Sequence, residues 1–123
     1  MSSLLFPAYV SLIHFDILLA RGDFAKLLRA VHEYPRAVRI SKNSVSDICS
    51  AIDMACIWYW KEVLCLQRSA ATTCLLRSHG IAAEFVIGTQ QLPFRAHAWV
   101  ELDGRVINDN LHVRDLYEVL ERC

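Results

Sequence analysis

The sequence lacks several of the signatures that would assign a chain at once, and each absence excludes something. It has no CxxC pair, no HExxH and no phosphate-binding GxxxxGK[ST] loop, which removes the usual zinc spacings and a nucleotide-cradling glycine loop. No cofactor or metal is therefore expected. It has no excess of charge of either sign: 13 basic and 13 acidic residues cancel, and no basic stripe is present, so nucleic acid is not an expected partner. There is no glycine/serine linker, low-complexity tract or internal repeat. At 123 residues the chain reads as one domain, 1–123, with a helical part over about 1–60 and a second part over about 61–123. No unbroken apolar run is long enough to span a bilayer. The N-terminal stretch LLFPAYVSLIHFDILLA is interrupted by His14 and Asp16 and has no basic leader, so neither a transmembrane segment nor a secretion signal is read there. The five cysteines, an odd number, fit reduced thiols and a cytoplasmic location better than a disulfide framework.

What is present is apolar. Hydrophobic residues make up 54% of the chain, enough to suggest an exposed face that meets a partner. The pattern predicts a helix over about 8–21, stopped by Gly22. A second helix is capped by Asp23, carries Phe24, Leu27, Leu28 and Val31 on one face, and ends before Pro35. The triplet Arg21-Gly22-Asp23 matches an integrin ligand, but a glycine stop followed by an N-cap accounts for it. Ser44 or Ser46 opens a third helix with Val45, Ile48, Cys49, Ile52, Ala55 and Cys56 facing inward; Cys49 and Cys56 are a heptad apart and read as core. The run Trp58-Tyr59-Trp60 fits either core or the wall of a peptide groove. A fourth helix runs from Cys65 to a left-handed close at Gly80, with Cys74 packed inside it. Strands then follow over 81–88, 94–101 and 105–108 or 109, with a loop over 89–93. An amphipathic helix over 113–122 closes the chain. Helices followed by a small antiparallel sheet is an α+β arrangement.

Chemistry is concentrated in two stretches. Cys65 stands at a helix start, where unpaired amides and the positive end of the dipole favour a thiolate. In FRAHAWVELDGRVIND, two turn lengths are possible around Asp103-Gly104. A three-residue loop sets Glu101 against Arg105, Val100 against Val106 and Trp99 against Ile107, each pair worth about 0.2–1 kcal/mol. A two-residue loop sets Glu101 against Val106. Cross-strand chemistry favours the longer loop, and that register places His97 opposite Asp109. A carboxylate across from an imidazole holds its tautomer and steadies the imidazolium, so Cys65, His97 and Asp109 form a candidate nucleophile, base and orienting acid.

The segment CLQRSAATTCLLRSHGIAAEFVIGTQQLPFRAHAWVELDGRVIND resembles the transglutaminase-like cysteine proteases that remove the leader during lasso-peptide maturation. The resemblance rests on Cys-Leu before Arg-Ser, a helix ending in Gly-Ile, then Ile-Gly, Pro-Phe, Ala-His-Ala-Trp-Val-Glu, Gly-X-Val and Asn-Asp in order, over Leu64 to Asp109. It implies a papain-like or transglutaminase-like core, with Cys65 as nucleophile, His97 as base and acid, and Asp109 as its partner. It also implies the stand-alone form of the protease, whose substrate is a leader–core precursor peptide. Such a form works with a separate leader-recognition protein and ahead of an ATP-dependent lasso cyclase. Trp58, Trp60 and Trp99 are candidate substrate- or partner-binding residues. Three other readings compete. One is a metal site drawn from Cys49, Cys56, Cys65, His79 and His97, although these lack zinc spacing. Another is an acyl transferase with the same three residues, and the third is a non-catalytic scaffold of a peptide-maturation complex.

Overall fold

The computed structural model describes residues 2–22, 24–37, 44–91, 93–109 and 112–123. Four helices, α1 (Ser2–Ala20), α2 (Phe24–Glu33), α3 (Val45–Ile57) and α4 (Cys65–Ser78), precede β1 (Glu84–Gln91), β2 (Phe94–Leu102) and β3 (Arg105–Val106). A single-turn helix, α5 (Val113–Leu116), then leads into a last strand, β4 (Glu118–Arg122). The sheet is antiparallel throughout, in the order β3-β2-β1-β4. The α+β expectation holds, with the four long helices on one side of a small four-stranded sheet.

α1 begins earlier than expected and runs through Pro7. As the sixth residue of the helix, this proline forfeits one bond to the carbonyl four residues back. The expected cap Asp23 lies outside the described residues. α2 buries Leu27 and Val31. Of the two serines considered for α3, Ser44 is the cap: its Oγ accepts from the Asp47 N–H at 3.1 Å, and its own N–H donates to Asp47 Oδ2 at 3.3 Å. This reciprocal capping box satisfies two donors that the helix start leaves open.

α4 is the hub. Residues 69–77 are all buried, and α1, α3, β1 and β2 pack around it. A helix surrounded on all sides cannot hold its polar groups without internal partners. Thr72 and Thr73 donate to the carbonyls of Arg68 and Ser69 one turn back, at 2.8 and 2.9 Å. The buried Arg77 guanidinium donates to the carbonyls of Ala83, Val31 and Cys123. One side chain therefore joins the end of α2, the entry to β1 and the C-terminus. The helix closes at a left-handed Gly80, φ 84°, with Gly80 N–H bonded to Arg77 O and Ile81 N–H to Leu76 O, as expected for a glycine-terminated helix.

The sheet departs from expectation in three places. β1 starts at Glu84 and continues to Gln91, so most of the expected loop is strand. The Asp103-Gly104 turn is two residues long: Leu102 pairs with Arg105 and Glu101 with Val106. Both turn residues are left-handed, φ 52° and 77°, the geometry whose twist matches a tight hairpin. Turn geometry thus outweighs the cross-strand preferences that favoured the longer loop, and β3 stops at Val106. The third departure is the C-terminal segment, which is strand over Glu118–Arg122 rather than helix. All five β4 side chains are exposed, so burial of an apolar stripe does not hold it. It is held by main-chain pairing with the otherwise open edge of β1, extended by Phe85 and Cys123, which exchange both backbone hydrogen bonds.

The two faces of the sheet do different work. Phe85, Ile87, Ala98 and Val100 join the main core with the helices, while Val86, Trp99, Val106 and Val113 form a second cluster capped by Tyr117. On that second face Gly88 admits Trp99 and Tyr117 so closely that an added Cβ would lie 2.7–2.9 Å from their atoms. Trp99 Nε1 donates to the buried Glu101 carboxylate at 2.8 Å, and Arg122 reaches the same group at 2.9 Å. Burial by itself raises the Glu101 carboxyl. The donors Trp99 and Arg122, with the charges of Arg122 and Arg114, outweigh it and hold the group below its ordinary value of 4.5.

Gly88→Ala is expected to overpack this face and to lower unfolding free energy by about 1–3 kcal/mol, measured by urea denaturation. A group with a depressed native pKa stabilises above its unfolded pKa and loses that contribution as pH falls through the native one. The wild type should therefore lose stability below pH 4.5, and Glu101→Gln should flatten that acid limb while weakening the protein at neutral pH.

Candidate active site

Cys65 is the first residue of α4, and the N-cap residue before it, Leu64, supplies no side-chain hydrogen bond. The amides of the first turn are thus left for another acceptor. One turn further on, Ser69 Oγ donates to Ala98 O on β2 at 3.1 Å, which fixes how α4 lies along the sheet. Cys65, Leu66, Ile87, Ala96, His97, Ala98 and Phe24 line a cavity of about 140 Å³. The thiol comes from the helix layer and is partly buried. His97 comes from the opposite face of β2, where its ring lies against Tyr117 at 5.3 Å and Trp99 at 6.1 Å between centroids.

His97 Nε2 and Asp109 Oδ2 are 2.5 Å apart. A carboxylate only accepts, so this contact puts the ring proton on Nε2 and leaves Nδ1 with its lone pair when the imidazole is neutral. The pairing expected from the sequence is therefore made, but by a different route from the expected register. The shorter turn shifts β3 by one position, and strand pairing does not set His97 opposite Asp109. Instead the chain leaves the sheet after Val106. Ile107 N–H still donates to Val100 O at 3.0 Å, and then the Asn108 side chain substitutes for a strand: its Oδ1 accepts the Val100 N–H at 2.7 Å. Asn108 Nδ2 donates to Ser69 Oγ at 3.0 Å, and Asn108 O accepts from Arg68 Nη2 at 3.1 Å. Asn108 is thereby held on both α4 and β2, and the next residue is carried to His97.

These positioning residues, Asn108, Ser69 and Arg68, together with the Tyr117 ring, are not among the site residues named from sequence. Arg68-Ser69 and Asn108-Asp109 do occur there as paired motifs flanking the reactive residues, which was the available signal. Of the three tryptophans, Trp99 is fully buried. It supports the His97 ring and offers no surface to a ligand, which corrects its assignment as a binding residue. Trp58 and Trp60 are exposed at 71% and 73%, but neither lines the cavity at Cys65. Between them Tyr59 is buried, its hydroxyl donating to Asp16 Oδ2 at 2.6 Å.

Burial separates the other thiols from this site. It pushes Cys49 up to about 11 and Cys74 up to about 12, and raises Cys56 and Cys123 as well. A raised thiol pKa suppresses the nucleophilic thiolate at neutral pH. Among the described residues, no three of His, Cys, Asp and Glu gather as a metal ion would require, and no helix is long and apolar enough to cross a membrane.

The model of the transglutaminase-like superfamily matches residues 9–122. The microcin J25-processing protein McjB of Escherichia coli is 45% identical over 56 residues, which are 46% of this chain and 27% of that protein. The chain thus matches about a quarter of that relative's length. No solved structure matches.

With sub-stoichiometric iodoacetamide at neutral pH, alkylation is expected at Cys65 ahead of the four other cysteines. Peptide mass mapping reads this directly, and preferential labelling of Cys49 or Cys74 would contradict it.

Proposed function

The chain belongs to the transglutaminase-like superfamily, and from that premise we propose that it is a cysteine peptidase that cleaves the leader from a lasso-peptide precursor. The observation that carries the reading is that the helix-start residue Cys65 and His97 line one cavity, and that His97 Nε2 is engaged by Asp109. The partial identity to a microcin-processing protein supports a precursor peptide as the substrate. A separate leader-recognition protein presents that precursor, and an ATP-dependent cyclase closes the ring afterwards. The work is assigned to the cytoplasm.

In this mechanism His97 Nδ1 takes the proton of the Cys65 thiol, and Asp109 steadies the imidazolium through Nε2. The thiolate attacks the carbonyl at the leader–core junction. The oxyanion forms against the free amides of the first turn of α4, a contribution typically worth about 3–4 kcal/mol in such sites. His97 then protonates the departing amine, which becomes the N-terminus of the core peptide. The leader remains as a thioester on Cys65 until water, deprotonated by His97, releases it as a carboxylate and restores the thiol.

The test is incubation of the chain with a lasso-precursor peptide and a leader-binding protein, followed by mass measurement of the products. Two fragments whose masses sum to the precursor plus one water are expected. Cys65→Ala should abolish cleavage, and His97→Ala should lower kcat by roughly 10²–10⁴-fold without loss of fold. A product joined to an amine instead of water would replace hydrolysis with acyl transfer. Unchanged cleavage by Cys65→Ala would reject the peptidase assignment in favour of a scaffold.

A further inference from the structure

The edge of β2 beside the cavity is open, for a reason visible in the chain path. β2 is nine residues long, while β3 pairs with only its last two. Beyond them the Asn108 side chain takes the Val100 N–H, and the chain departs with Asp109. Among the described residues no strand pairs residues 94–98 on this side. Val100 turns its N–H and C=O toward β3, as its bonds to Asn108 and Ile107 show. Strand alternation then aims the main-chain groups of Ala98, Ala96 and Phe94 the same way, and those of Arg95, His97 and Trp99 toward β1. The independent pairing of Phe85 with Cys123 on the far edge fixes the same parity through the β1–β2 register. Ala98 O is taken by Ser69. Ala96 is exposed, and its N–H and C=O face outward.

These groups lie beside the thiol. Ser69 touches Ala98. Cys65 is one turn, about 6 Å, before Ser69 on the helix, and Ala96 is about 6.6 Å before Ala98 on the strand. Ala96, His97 and Cys65 accordingly line the same cavity. Open edges are normally covered or blunted, since they template another strand. This one is left uncovered where the proposed chemistry needs a peptide.

We propose that the substrate peptide docks as an added strand on this edge of β2, its main chain hydrogen-bonded to the Ala96 N–H and C=O, so that the scissile carbonyl passes Cys65. The occupant is an extended peptide. Outward N–H and C=O groups in alternation are met by a main chain of the same period, and such pairing reads backbone rather than side chains. The identity of that peptide as the leader–core junction rests on the peptidase reading; the docking mode does not.

The experiment uses the full chain carrying Cys65→Ala, the leader-binding protein and a synthetic peptide spanning the junction, with amide hydrogen exchange followed by NMR. Exchange at Ala96 should slow by at least roughly tenfold on binding, while Arg95 and His97, already bonded to β1, should change little. N-methylation of successive peptide amides should weaken binding in alternation, by roughly tenfold at amides that pair with the edge. A bound peptide that leaves Ala96 exchange unchanged, or no binding at all, overturns the proposal. Cleavage by the wild type without protection at Ala96 would refute the docking mode and keep the peptidase. Protection at Ala96 with cleavage surviving in Cys65→Ala would do the reverse.

Discussion

The hydrogen bonds of one residue, two through its amide side chain and one through its main-chain carbonyl, organise the end of the molecule where Cys65 and His97 lie. Asn108 accepts the main-chain N–H of Val100, donates to Ser69, and through its carbonyl receives Arg68. Without the first of these bonds, Val100 N–H would be an unpaired donor in a buried strand. With it, β3 can end after two residues and the chain can turn away from the sheet. The early end of β3 brings Asp109 to His97 and leaves the neighbouring edge of β2 open. Ser69 and Arg68 come from the same helix as Cys65, so the position of the carboxylate is coupled to the position of the thiol.

The helix that carries Cys65 is itself immobilised from every side. Its centre is small or hydroxylated, with Ala70, Ala71, Thr72 and Thr73. Small side chains let α1, α3 and the sheet approach closely, and the threonine hydroxyls are satisfied within the helix. At its far end Arg77 binds three carbonyls from distant parts of the chain. Cys65 therefore sits, partly buried, at the tip of a rod held in the core, which suits the proposed role of a group that must be held to within about half an ångström. On the other side of the sheet, His97 is backed by Tyr117 and Trp99, whose close approach depends on the absence of a Cβ at Gly88.

Local features were legible without the structure: the four helices, a serine cap at Ser44 or Ser46, the close at Gly80 and the strand carrying His97. Each is written in contiguous residues, through a 3.6-residue period, a serine before an aspartate, or a glycine after a basic turn. The hairpin register was misjudged because side-chain pairs worth tenths of a kcal/mol compete with a turn whose backbone twist already matches the strands. The contact between His97 and Asp109 forms even so, because the chain leaves the sheet after Val106 and Asn108 carries the next residue to the ring.

The sequence by itself determined the four helices, the strand that carries His97 and the helix-start position of Cys65, because these depend on neighbours along the chain. Only the tertiary structure decided that Trp99 is core, that the last segment is a strand, and that Asn108 replaces a strand to deliver Asp109. Those outcomes turn on main-chain groups from distant segments needing partners. The tail pairs with β1 because β1 has an edge to be satisfied, and the same residues taken alone carry a helical period that nothing local contradicts.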